Sequence, residues 1–380
     1  KAVGMAPGKS VVVFSRSQVL EFATGSPSAA FGDRYRSFDR DRFIARLPAP
    51  PYSFLDRVIH TTAEPWTMKP GGTTTAEYDV PPDAWYFAAA RQPAMPYAVL
   101  LEVALQTCGW TSAYIGSALH SPTDLHYRNL GGTAVVLGIV TPDAGTLTTT
   151  VTMTRVSKSA GMIIQNFDFA VRDAVGRDVF RGDTYFGFFA AKSLAQQVGI
   201  RDAEPYRPTA SEAAGGERFA YPDGPPFPDA TLRMIDRIDL FLPDGGPHRL
   251  GFVRGVKDVD SAEWFFKAHF HQDPVWPGSL GLEAFLQLLA VVASRRWEDD
   301  SQTVWQSPAV GGSHNWVYRG QVVPGDRRVT VEAVVTRIDP DTQTLWADGF
   351  LLVDGRVIYQ MKDFAFRHTA ERHAVLPSLH

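Results

Sequence analysis

The chain repeats itself once, over roughly half its length, and this duplication restricts the folds open to it more than any other feature. Pro51-Tyr52-Ser53-Phe54-Leu55-Asp56-Arg57-Val58 has a partner in Asp229-Ala230-Thr231-Leu232-Arg233-Met234-Ile235-Asp236-Arg237-Ile238. Trp85-Tyr86-Phe87 answers to Trp264-Phe265-Phe266. The run Pro96–Gln106 answers to Pro277–Gln287. In both runs glutamate follows proline by six residues and glutamine follows glutamate by four, giving Glu102 and Gln106 in one copy and Glu283 and Gln287 in the other. The shared order of flanking elements points to duplication.

Each copy is one apolar helix followed by strands. The second helix carries Leu280, Leu282, Phe285, Leu286, Leu288, Leu289, Val291 and Val292, apolar nearly all round, which predicts burial. Pro277 suits its first turn, where a missing N–H costs nothing. Strands rich in Val, Thr and aromatics are expected at Thr133–Val140, Thr146–Val156, Met162–Arg172 and Asp178–Phe189, and again at Val317–Val323, Arg328–Arg337, Leu345–Val353 and Arg356–His368. Val353-Asp354-Gly355-Arg356 predicts a type I′ hairpin. Residues 191–225 show no sustained period and read as a linker between a first domain, 1–190, and a second, 226–370. Gln18–Ala23 reads as a short helix, with the rest of residues 1–45 packed on the first copy. One helix wrapped by long antiparallel strands, twice over, is an α+β arrangement.

Composition narrows the partners. The chain has 380 residues, 44% hydrophobic and 21% charged, with net charge −4, which gives no reason to expect a nucleic acid or an anionic membrane. A single cysteine, Cys108, excludes an internal disulfide and favours a reducing cytoplasm. No apolar stretch is expected to reach a membrane span, and residues 1–15 lack the features of a signal peptide. The start at Lys1, in mid-pattern, suggests a segment of a longer polypeptide.

Glu102 and Glu283 each fall in the middle of an apolar helix, where a carboxylate must be neutralised, paired or led to the surface. His269 lies fourteen residues before Glu283, on the run leading into the second helix. The pattern His269-Phe270-x-x-x-Pro274-x-x-Pro277-Gly278-x-Leu280-x-x-Glu283-Ala284 places an imidazole on a loop, a backbone N–H at a helix N-terminus (Gly278) and a carboxyl one to two turns further on.

This run resembles the active-site segment of the bacterial β-hydroxyacyl-carrier-protein dehydratases, which have the hot-dog fold. The likeness is closest to the dehydratase/isomerase branch over Trp264–Gln287. It continues through Tyr318-Arg319-Gly320-Gln321-Val322-Val323-Pro324 and Ala347–Tyr359, about 100 residues in all. That branch has aspartate where Glu283 stands; the dehydratase-only branch has glutamate. With its degenerate first copy, the whole chain resembles the paired dehydratase unit of polyunsaturated-fatty-acid synthases and related iterative megasynthases. The run Met95–Gln106 resembles that family closely.

The resemblance implies a double hot-dog that dehydrates 3-hydroxyacyl thioesters to 2-enoyl thioesters, with isomerisation left open. Its substrate would ride on the phosphopantetheine arm of an acyl carrier protein, with no metal or other cofactor. Partners would be that carrier protein and other megasynthase domains; a homodimer is compatible with this. The first copy has no histidine between Tyr78 and Leu119, and its equivalent of His269 falls near Ala88–Ala90. In the hot-dog dehydratases the histidine of one subunit faces the helix carboxylate of the other. That implies His269 as base, working with Glu102, with Gln106 in support and the Gly278 N–H as oxyanion donor. Glu283 is the rival acid. Three other readings remain: a non-catalytic acyl-binding or scaffolding module, a hot-dog thioesterase, and a metallo-hydrolase using His269-x-His271-x-Asp273. His271 is expected to face solvent.

Overall fold

A computed structural model describes residues 12–297 and 305–369. The expected features of residues 1–11, and residue 370 of the expected second domain, lie outside the described residues. The first copy runs α1 (Arg16–Thr24), α2 (Pro27–Phe31), β1 (Arg57–Thr61), β2 (Thr73–Asp79), α3 (Trp85–Ala90), α4 (Tyr97–Tyr114), β3 (His126–Val136), β4 (Thr146–Ser159), β5 (Met162–Arg172) and β6 (Asp178–Phe189). The connecting segment holds α5 (Ala191–Ala195), α6 (Ala210–Gly215) and β7 (Glu217–Ala220). The second copy runs β8 (Arg237–Leu242), β9 (Phe252–Asp258), α7 (Trp264–Ala268), α8 (Gly278–Arg296), β10 (Trp305–Pro308), β11 (Ser313–Tyr318), β12 (Arg328–Asp339), β13 (Thr344–Val353) and β14 (Arg356–Thr369).

The strands form one antiparallel sheet, ordered β1-β2-β4-β5-β6-β3-β11-β14-β13-β12-β9-β8-β7, with β10 added to β14. Read from the β3–β11 junction outward, the two halves have the same order. A pseudo-twofold axis therefore passes between Thr133 and Asn315, which face each other in the register and share a 2.8 Å hydrogen bond. Gly132 lets the two halves approach there, since a Cβ would meet the Asp183 carbonyl at 2.4 Å and the Trp316 ring at 2.7 Å.

Each half-sheet curls round its own helix, α4 or α8, and the two helices pack against each other. Alternation makes this one-sided. Along β4, Leu147, Thr149, Val151 and Met153 point inward and the residues between them outward. Neither central helix has a solvent stripe: α4 is buried almost throughout, and so is α8 up to Ala293. This is the α+β double hot-dog expected from the sequence.

Several expectations need correction. β11 ends at Tyr318 rather than continuing to Val323, because Val322 turns to accept the Trp276 N–H of the helix lead-in. β3 starts earlier and ends earlier than expected, at His126 and Val136. Pro277 caps α8 from outside the first turn, with extended ψ of 129°. The stretch read as a linker carries two helices and β7, which pairs with β8. α8 is by length and hydropathy long enough to cross a membrane, contrary to expectation, yet 83% of that window is buried inside the protein. The amino-terminal helices α1 and α2 do pack on the first copy, through Phe22 and Phe31, with Tyr35 just beyond α2, in one cluster with Trp110.

Candidate active site

Hydrogen bonds tie each copy's helix to the strand entrance in the same way. Gln106 Oε1 accepts from the Phe54 N–H at 2.7 Å and its Nε2 donates to the Tyr52 carbonyl at 2.9 Å. Gln287 does the same with the Met234 N–H and the Leu232 carbonyl, both at 2.8 Å. The copies also clasp one another. The Ala49 N–H donates to the Ala268 carbonyl and the Asp229 N–H to the Ala89 carbonyl, each at 2.8 Å. The residue after Ala268 is His269; the residue after Ala89 is Ala90. The histidine's counterpart is therefore alanine, within the range expected.

His269 ends α7. Its N–H donates to the Phe265 carbonyl and its carbonyl accepts from Val275, both at 2.8 Å, so the following loop closes on the histidine. The loop is fastened to the other copy through Asp273, whose carboxylate takes both Arg128 guanidinium nitrogens at 2.7 and 2.8 Å, with His126 Nδ1 at 3.0 Å. Burial works to raise the Asp273 carboxyl, but these contacts from β3, to His126 and to the Arg128 guanidinium, hold it well below the usual range. The His269 ring is buried, and Nδ1 lies 3.0 Å from the Val275 carbonyl. A carbonyl only accepts, so Nδ1 carries the proton and Nε2 has a free lone pair. Burial pushes the imidazole down to about 3, which keeps it neutral.

Glu102 reaches the same cavity from α4. Ser279 Oγ donates to its Oε1 at 2.7 Å and Gln106 Nε2 to its Oε2 at 3.1 Å. Tyr52 Oη stands 2.9 Å behind Ser279, completing a buried chain of hydroxyls. Burial raises the Glu102 carboxyl above the usual carboxylate range, only partly offset by these hydrogen bonds. His269, Glu102, Gln106, Gly278 and Ser279 all line this cavity. Gly278 opens α8, where the first N–H groups have no helical partner.

Glu283 does not line that cavity. It lies half-buried on the far side of the pseudo-twofold, near the backbone N–H of Ala98, with Gln287 at 3.4 Å. Burial pushes it up to about 7. In the space corresponding to the Gly278 turn the first copy has Tyr97, whose buried ring packs against Phe180, His314 and Phe364. His271 is half-buried rather than solvent-facing. Both Asp273 oxygens are engaged by the Arg128 guanidinium, and among the described residues no group of three or more His, Cys, Asp or Glu is placed to hold a metal. Sequence reasoning missed Ser279 and the Arg128–Asp273 clamp. Ser279 sits inside the quoted motif, but only the cross-copy packing reveals what its hydroxyl meets.

The chain belongs to the FabA-like domain family, which matches it twice, over residues 47–175 and 227–362. It is 30% identical over 403 residues to one of the polyunsaturated fatty acid synthase polypeptides of Thraustochytrium sp.. That alignment covers 95% of this chain and 26% of the relative, so the chain spans about a quarter of the relative's length. Among solved structures it is similar to an isomerase-inactive variant of GphF DH1 (16% identity, TM-score 0.49, 85% of this chain and 98% of that one). It is also similar to the dehydratase domain from the CurJ module of the curacin polyketide synthase (11% identity, TM-score 0.45, 82% and 96%).

Proposed function

We propose that the chain is the dehydratase unit of a fatty-acid- or polyketide-type megasynthase, eliminating water from 3-hydroxyacyl thioesters borne by an acyl carrier protein. One observation carries this reading: His269 of one copy and Glu102 of the other open onto a single cavity beside the free N-terminus of α8.

The groups suit each step. Neutral His269 takes the proton α to the thioester through Nε2, and Val275 fixes that tautomer. The electron pair left on carbon delocalises onto the thioester oxygen, which the Gly278 N–H and the positive end of α8 stabilise. The pair then forms the double bond as the β C–O bond breaks. Glu102, kept protonated by burial, gives its proton to the departing hydroxyl, which leaves as water. Transfer of the proton from the imidazolium to the carboxylate resets the site. Nothing is oxidised or reduced, so the elimination calls for no redox cofactor. Gln106 holds Glu102 in place, since strand-entrance backbone fixes both ends of its amide.

The test is incubation with a 3-hydroxyacyl-carrier-protein thioester, following the enoyl product, for wild type and His269→Ala. Turnover by wild type that collapses in the variant is expected. No turnover by wild type would favour the scaffolding alternative, and release of free acid would favour a thioesterase.

A further inference from the structure

Three residues lining the cavity, Arg46, Trp276 and Tyr318, carry a buried polar atom that this chemistry leaves unused, and Tyr318 is the one against Gly278. Among the described residues the Tyr318 hydroxyl is buried without a hydrogen-bond partner, while its side chain, 4% exposed, lines the same cavity as His269, Glu102 and Gly278. Buried hydroxyls are almost always satisfied, so an orphan facing a cleft needs an explanation. A phenylalanine would fill the space without that cost.

Its position supplies one. A Cβ placed on Gly278 would lie 2.7 Å from Tyr318 Cε2 and 3.2 Å from Oη. The hydroxyl therefore stands against the first turn of α8, and glycine is needed there because the phenol occupies the room. The ring is held by β11–β14 pairing, which sets Tyr318 opposite Tyr359, with ring centroids 4.2 Å apart. In the histidine-less copy the donor is gone. Trp276 and Met95 donate to the carbonyls of Val322 and Val140, and four residues before those stand Tyr318 and Val136. Valine thus replaces the phenol in the copy where Ala90 replaces His269 and Tyr97 replaces Gly278. Burial pushes the phenol well above its ordinary range, so it keeps its proton.

We infer that the Tyr318 hydroxyl is a second donor to the thioester oxygen, forming with the Gly278 N–H a two-donor oxyanion site. The inference rests on the dehydratase reading for its reaction, but its hydrogen bond can be read without turnover. Tyr318→Phe removes one oxygen and keeps the ring. It should lower kcat about 100-fold, the scale of one lost oxyanion donor, with KM within a few-fold and the unfolding midpoint unchanged. Independently, the carbonyl band of a bound hexanoyl-pantetheine thioester, which has no β-hydroxyl to eliminate, should shift to lower frequency on wild type and shift less on Tyr318→Phe. Equal kcat in both proteins, an equal band shift, or no shift on wild type overturns the inference. A Tyr318-dependent shift on a wild type that does not dehydrate supports the donor and sinks the dehydratase reading instead.

Discussion

Ser279 and Glu102 come from different copies of the repeat, and the Ser279 hydroxyl donates to the Glu102 carboxyl at 2.7 Å. Across the pseudo-twofold the same relationship joins Ala98 to Glu283, but alanine has no hydroxyl to give. Glu283 is left with a backbone N–H and a 3.4 Å approach from Gln287. Two glutamates that look equivalent along the chain thus differ in what orients them, and only Glu102 is aimed into the cavity of His269.

From this follows a separation of the two acids. Glu102→Gln keeps the shape of the side chain and removes the transferable proton, and it should lower kcat by about 10²–10⁴. Glu283→Gln should leave kcat within a few-fold of wild type. Steady-state rates of enoyl-thioester formation decide it, and loss of turnover in Glu283→Gln alone would reverse the assignment.

The pH dependence follows from the directions of the two shifts. His269 is pushed down to about 3, so it remains an unprotonated base far below the ordinary histidine range near 6.5. Glu102 is raised, so its acid form persists above the ordinary carboxylate range and is lost only as pH climbs. A profile of kcat/KM should therefore show no acid limb near pH 6.5 and should fall on the alkaline side. A drop in kcat/KM on acidification through 6.5 would mean the imidazole is not buried as described.

Much of this architecture was legible because the repeat and the strand alternation are local signals. Pro96–Gln106 against Pro277–Gln287 gave both helices, and Asp354-Gly355 gave its hairpin, with φ of 47° and 84° as a type I′ turn needs. The outer strands β1, β2, β8 and β9 were not anticipated, since half-buried, mixed-polarity runs such as Arg57–Thr61 carry little apolar periodicity. Cross-copy contacts were out of reach for a different reason. No spacing rule connects Ser279 with Glu102 or Asp273 with Arg128; they meet only once both sheets have closed. The pairing of His269 with Glu102 came from resemblance, and both residues line one cavity.

The Asp273 clamp predicts a stability effect that depends on pH. Asp273 and Arg128 are 12% and 11% exposed, and removing the carboxylate leaves the Arg128 guanidinium mostly buried without its counter-ion. Asp273→Asn should cost about 2–4 kcal/mol at neutral pH, as for other mostly buried pairs broken on one side. Because the folded carboxyl is depressed, its contribution is present above the unfolded value near 3.9 and fades as pH falls below it. Urea unfolding at pH 7 should separate variant from wild type, and the gap should narrow on acidification. A gap of the same size at both ends would assign the loss to packing alone.

The first copy offers the sternest check on what makes the cleft competent. If a histidine were all it lacked, Ala90→His would build a second site against Glu283. The structure says three further things are missing. Tyr97 fills the turn that Gly278 keeps open, Ala98 lacks the hydroxyl of Ser279, and Val136 stands for Tyr318. Ala90 is buried and, unlike His269, does not line the cavity, so an imidazole there would press into packed neighbours. In a His269→Ala background, Ala90→His should therefore give no more enoyl product than His269→Ala alone. A recovery of about ten-fold or more, equivalent to some 1.4 kcal/mol of barrier, would show that the first cleft admits substrate and that the histidine alone had been lost.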